Sequence, residues 1–183
     1  MLVNCNYPLY NHRGQTLTSW GKDSTGLITY KLNNQGFRHD QDYNWTPSYA
    51  FFGSSALFGI GVKNTDILVS QFDNSQNYGI AGEYLNQDSV TNLENFLNSK
   101  IYNDSVKLIF FWVERTAEDI DTLIDYVYTL NTKVLHISQG NKYTKTINLM
   151  PQIDTDASNT HPGPGTQLIW AKSIKLLLND RRS

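Results

Sequence analysis

Phe51-Phe52-Gly53-Ser54-Ser55-Ala56-Leu57-Phe58-Gly59-Ile60-Gly61 is the stretch that decides how this chain is read. An apolar run, Tyr49 to Phe52, stops at a glycine. Two serines and a glycine-rich turn follow. The run is too short for a helix and has the length of a buried strand. Ligands meet parallel sheets at the carboxyl ends of their strands, and Ser54 and Ser55 would lie at such an end.

Outward from this point, strand and helix signals alternate. Asn64-Thr65-Asp66 predicts a helix start ahead of Ile67, Leu68, Val69 and Phe72. Gln76 to Gly82 reads as a strand closing in a glycine turn. Ser89 suits the cap of a helix carrying Val90, Leu93, Phe96 and Leu97 at helical spacing. Val106 to Val113 is a continuous apolar run, as in a strand covered on both faces. Thr116 suits a cap, with Glu118 and Asp119 in a first turn. Ile120, Leu123, Ile124, Val127 and Tyr128 then form an apolar stripe. Lys133 to Ile137 is a further strand. Leu168, Ile169, Ala171, Ile174, Leu177 and Leu178 mark a terminal helix. This alternation implies an α/β domain of three layers around a mostly parallel sheet. The division expected is an N-terminal extension, residues 1–45, packed on a main domain, residues 46–183. Within the extension only Leu27 to Leu32 has strand character, and Asn33-Asn34-Gln35-Gly36 signals a turn. Its length exceeds an ordinary loop and leaves room for a protein partner or a second copy of the chain.

Composition removes several function classes. Fifteen basic against 17 acidic side chains give a net charge of −2, with no footprint for nucleic acid or an anionic membrane. Cys5 is the single cysteine, so no internal disulfide forms. The start, Met1 to Tyr7, lacks the basic and apolar regions of a secretory signal. No stretch reaches the roughly 18 apolar residues of a membrane span. A cytoplasmic or particle-associated protein is expected.

Far downstream stands Asp156-Ala157-Ser158-Asn159-Thr160-His161-Pro162-Gly163, directly before the last helix. A strand-end serine early and a His-Pro-Gly late is the layout of a serine hydrolase. Ser55 is the candidate nucleophile, with Ser54 as an equal on local grounds. His161 is the candidate base, since an imidazole can take the serine proton and return it to a leaving group. Asp156 is the candidate carboxylate for orienting the imidazole, and Asp154 competes. Gly79-x-x-Gly82 offers backbone amides to an oxyanion. Trp112, Glu114 and Arg115 follow the strand Leu108 to Phe111, where they could meet a polar substrate group or form a surface ion pair of little worth.

Taken together, these blocks resemble the SGNH (GDSL-type) hydrolase superfamily, particularly small members from phages and environmental bacteria. Gly53-Ser54-Ser55-Ala56-Leu57-Phe58-Gly59 resembles the first block, with Ser55 in the nucleophile's place. Asn77-Tyr78-Gly79-Ile80-Ala81-Gly82 looks like the second, which implies an oxyanion amide at Gly82. Asn33-Asn34-Gln35-Gly36-Phe37-Arg38 looks like an Asn-x-x-Gly-Phe-Arg element preceding the first block in several members. His161-Pro162-Gly163 looks like the final block. The chain departs from the pattern at three places. Ser54 replaces the aspartate of Gly-Asp-Ser. Phe111-Trp112-Val113-Glu114-Arg115 supplies no asparagine as a second oxyanion donor, a group worth about 3 kcal/mol in the transition state. Ser158 stands where the acid three residues before the histidine belongs, leaving Asp156 or a backbone carbonyl to orient it. The resemblance implies a flavodoxin-like sheet and an esterase acting on a small ester or O-acetylated carbohydrate, with no metal or organic cofactor. The alternative it leaves is a degenerate domain serving as a structural or carbohydrate-binding virion protein.

Overall fold

A computed structural model describes residues 16–23, 26–39, 43–81, 87–113, 120–139, 146–155 and 161–180. Its centre is a five-stranded parallel sheet in the order β4-β3-β5-β6-β7, built from β3 (Tyr49–Gly53), β4 (Ser75–Gly79), β5 (Leu108–Trp112), β6 (Val134–Gln139) and β7 (Ile147–Leu149). The first strand of the sheet in sequence is flanked by the second on one side and the third on the other. That reversal of strand order lies between β3 and β5, and in such sheets it opens the crevice where ligands bind.

Period-two alternation splits the sheet residues between two cores. Phe52, Tyr78, Ile109, Phe111 and Val113 face α2 (Gln87–Leu97) and α3 (Ile120–Leu130). Phe51, Phe110, Trp112 and Ile137 face α1 (Ser55–Phe58) and α4 (Pro164–Asp180). Cross-strand aromatics pack each face. Phe51 stacks on Phe110 and Phe52 on Tyr78, both at 4.6 Å between ring centroids. Such pairs add about 0.5–1.5 kcal/mol each beyond their buried area. The three layers are therefore α2 and α3, the sheet, and α1 with α4.

Several elements differ from their sequence expectation. The helix expected from Asn64 is two single 3-10 turns, Asn64–Asp66 and Val69–Gln71; Ile67 and Leu68 between them and Val69 at the start of the second are all buried. Three consecutive apolar residues cannot all face one side of a regular helix, and broken turns let them do so. Ser89 is no cap: α2 already runs at Gln87, and Ser89 is buried in its first turn. The expected cap Thr116, with Glu118 and Asp119, lies outside the described residues. Strand β7 has three residues, too few to show a period. The buried stripe of α4 is Thr166, Gln167, Trp170, Ala171 and Ile174, while Leu177 is exposed.

β1 (Thr16–Asp23) and β2 (Gly26–Lys31) form an antiparallel hairpin. After it, Asn33 accepts the N–H groups of Gln35 and Phe37 at 3.0 Å each, which folds the chain back. Phe37 and Tyr43 then enter the α2–α3 core, and Tyr30 and Leu32 pack with Phe58, Ile60 and Ala81. No helix among the described residues is long and apolar enough to cross a membrane.

One buried group predicts a pH dependence of stability. His136 on β6 is 1% exposed, and neither ring nitrogen has a hydrogen-bond partner among the described residues. It sits between Phe111 and Tyr128, at 5.9 and 4.6 Å between centroids. Burial pushes its pKa down to about 4, with Asp125 pulling the other way. The folded value is below the unfolded one, so acid favours the unfolded chain. Stability is expected to drop as pH falls from about 6.5 and to have lost up to about 3 kcal/mol near pH 4. Urea unfolding at several pH values checks this. His136→Phe should flatten the profile, and an equally steep profile in that variant contradicts the assignment.

Candidate functional site

β3 ends at Gly53, where the chain turns sharply off the sheet. Gly53 has φ 154°, and a Cβ there would lie 2.5 Å from Cβ of Trp112. No other residue fits. Ser54 then becomes the N-cap of α1. Its backbone is extended, its side chain accepts the N–H of Ala56 at 3.4 Å, and it is wholly buried. This separates two serines that sequence leaves equal. Ser54 is committed to the cap, and Ser55 is the half-buried first residue of the helix. At that position the N–H of Ser55 has no partner within the helix, because the first amides of any helix point out of its end. Hydroxyl and amide of one residue are thus presented together at the carboxyl edge of β3.

A single helical turn has little stability of its own. Its carbonyls must find donors elsewhere, and distant side chains supply them. Gln167 Nε2 donates to the carbonyl of Ala56 at 2.9 Å. Asn77 Nδ2 donates to that of Leu57 at 3.0 Å, while Asn77 Oδ1 accepts the N–H of Gly79 at 2.8 Å. Arg38 Nη1 donates to the carbonyls of Phe58, at 2.9 Å, and Gly59, and its Nη2 donates to Val62. Tyr30 Oη accepts the N–H of Gly61 at 2.6 Å. Gly79 lets the turn sit directly on β4, since a Cβ there would lie 2.5 Å from the N of Phe58. Ser55 is thus aimed by three separate parts of the chain.

His161 arrives on a second stitched structure. The segment before it, residues 150–155, runs beside the start of α4. Thr155 bridges Pro162, and the N–H of Gly163 donates to the carbonyl of Asp154 at 3.1 Å. The Asp154 carboxylate accepts the N–H groups of Gly165 at 2.8 Å and Thr166 at 2.7 Å, and also the Thr166 hydroxyl. Burial alone would raise the pKa of this carboxyl. The Thr166 hydroxyl and the two amides outweigh it and hold the group below its ordinary value. A carboxylate at a helix N-terminus also answers the helix dipole. Asp154 therefore anchors the loop that carries His161, and its oxygens are spent on α4.

The two stitched elements converge. Ser55 Oγ and His161 Nε2 lie 3.1 Å apart. Trp112 is 3% exposed, packed on Trp170 at 5.0 Å and beneath Gly53, so it belongs to the core and not to a cleft wall. Gly82, Glu114, Arg115 and Asp156 lie outside the described residues, as does Ser158. Sequence reading missed the roles of Asn77, Arg38 and Gln167. Thr166 and Gln167 did leave a signal. Gln167 stands three, four and seven residues before Trp170, Ala171 and Ile174, and Thr166 four before Trp170 and eight before Ile174; a polar residue on an apolar stripe needs a buried partner. What the site can do chemically follows from its central contact. A hydroxyl within hydrogen-bonding reach of an imidazole can pass its proton and become a nucleophile. No protein-family model matches the chain, and no curated protein matches its sequence.

Proposed function

We propose that the chain is a serine ester hydrolase of the SGNH type, acting on small acyl esters such as O-acetylated carbohydrate. The observation that carries this reading is the 3.1 Å contact between Ser55 Oγ and His161 Nε2 at the switch point of the sheet. Ser55 Oγ attacks the ester carbonyl carbon as its proton passes to His161 Nε2. The tetrahedral oxyanion is held by the N–H of Ser55 and, as the family resemblance implies, by that of Gly82. The carbon–oxygen bond to the alcohol breaks, and His161 returns the proton to the departing oxygen. Water then attacks the acyl-Ser55 ester as His161 takes its proton; the bond from the acyl carbon to Oγ breaks, His161 returns the proton to Oγ, and the acid leaves. Asp156 orients the imidazole in this reading, while Glu114 and Arg115 bind polar substrate groups.

A fluorophosphonate probe tests the proposal. It should label the folded protein, the adduct should map to Ser55, and Ser55→Ala should take no label and lose hydrolysis of p-nitrophenyl acetate. Folded protein that neither labels nor hydrolyses would move the reading to a non-catalytic carbohydrate- or partner-binding domain.

A further inference from the structure

Of the described side chains that hold the Ser55 turn, Gln167 alone belongs to the helix that follows His161. It is wholly buried on the core face of α4. Nε2 donates to the carbonyl of Ala56, the residue after Ser55, at 2.9 Å. Oε1 accepts the N–H of Leu68 at 2.9 Å, from the broken turns beside α1. Its own N–H donates to the carbonyl of Gly163 at 3.0 Å, closing the first turn after His161-Pro162-Gly163. Backbone and side chain of one residue therefore reach both halves of the site. An apolar residue would satisfy the packing of this stripe, yet it would leave the Ala56 carbonyl and the Leu68 N–H without these partners.

We propose that Gln167 is the positioning residue that sets the separation of Ser55 Oγ from His161 Nε2. The proposal rests on the hydrolase reading for its catalytic meaning, but not for its structural content. Gln167 does not touch a reacting atom. It links the turn bearing the hydroxyl to the helix bearing the imidazole, so that neither can drift without breaking a buried amide's bonds. A misplacement of about 1 Å in such a pair costs up to about a hundredfold in rate.

Two variants separate positioning from plain packing. Gln167→Met keeps the volume and deletes both hydrogen bonds. It should remain folded, with labelling of Ser55 by a fluorophosphonate slowed about 10- to 100-fold. Gln167→Glu keeps an acceptor for Leu68, but donates to Ala56 only when protonated. Burial raises a glutamate pKa, so its labelling rate relative to wild type should climb at least about fivefold as pH falls from about 8 to about 5. A folded Gln167→Met that labels within about threefold of wild type overturns the proposal. If that variant does not fold, a flat pH ratio in Gln167→Glu overturns it instead. If wild type itself takes no label, the hydrolase reading fails, and the ¹⁵N resonance of His161 Nε2 decides the brace alone. In Gln167→Met it should move toward its position in Ser55→Ala, and an unmoved resonance overturns the brace.

Discussion

Replacing His161 with alanine is expected to slow acylation of Ser55 by about a thousandfold, near 4 kcal/mol of transition-state stabilisation. A serine hydroxyl is a poor nucleophile while it keeps its proton, and in the proposed reaction Nε2, 3.1 Å away, is the group that accepts it. The loss should appear in the rate of chemistry. Stability should change by less than about 1 kcal/mol, because the described bonds that stitch this loop to α4 run through the Gly163 amide and Asp154. Stopped-flow labelling provides the check, with Ser55→Ala as the zero point. A loss below about tenfold would assign the proton transfer to another group.

Replacing Arg38 with methionine is expected to cost about 4–5 kcal/mol of stability, an exceptional value for one substitution. Arg38 is 2% exposed, and its described partners are the carbonyls of Phe58, Gly59 and Val62 together with two ring faces. Its guanidinium lies 4.8 Å from the Tyr30 ring centroid and 5.7 Å from that of Phe58. Burial lowers its pKa to about 10, against a smaller upward pull from Tyr30, so the group stays charged at neutral pH. The planar fork is what allows one side chain to serve three carbonyls. Methionine fills the space and leaves those oxygens unpaired, at about 1–3 kcal/mol each. Arg38→Lys should recover part of the loss, since an ammonium has donors but no fork. Urea unfolding monitored by tryptophan fluorescence measures both. A methionine variant within about 1 kcal/mol of wild type would mean that water or other donors replace the guanidinium, and the anchoring role would fall.

Arg38, Asn77 and Gln167 explain why the site was only half legible before folding. Each is a polar residue whose partner is a backbone carbonyl distant in sequence, and carbonyls carry no residue identity. Pattern can therefore name the polar residue but not what it holds. Asp154 and Asp156 pose the same difficulty from the other side. Both precede His161 in one loop, and proximity in sequence cannot say which carboxylate faces the ring. The hydrogen bonds from Gly165 and Thr166 assign Asp154 to the helix end. Trp112 shows how an aromatic at a strand end can mislead. The alternation that turns Phe111 to one core turns Trp112 to the other, under Gly53, and the side chain never reaches the crevice.

What sequence alone determined here is the layer plan. Short apolar runs alternating with helical stripes admit a covered parallel sheet, because only that arrangement buries strands on both faces while giving each helix one apolar side. Pairing Ser55 with His161 was a matter for tertiary structure. A single turn of helix and a loop have no intrinsic geometry that fixes them to each other. Their separation is set by buried hydrogen bonds from the N-terminal segment, β4 and α4, and those exist only once the layers have closed.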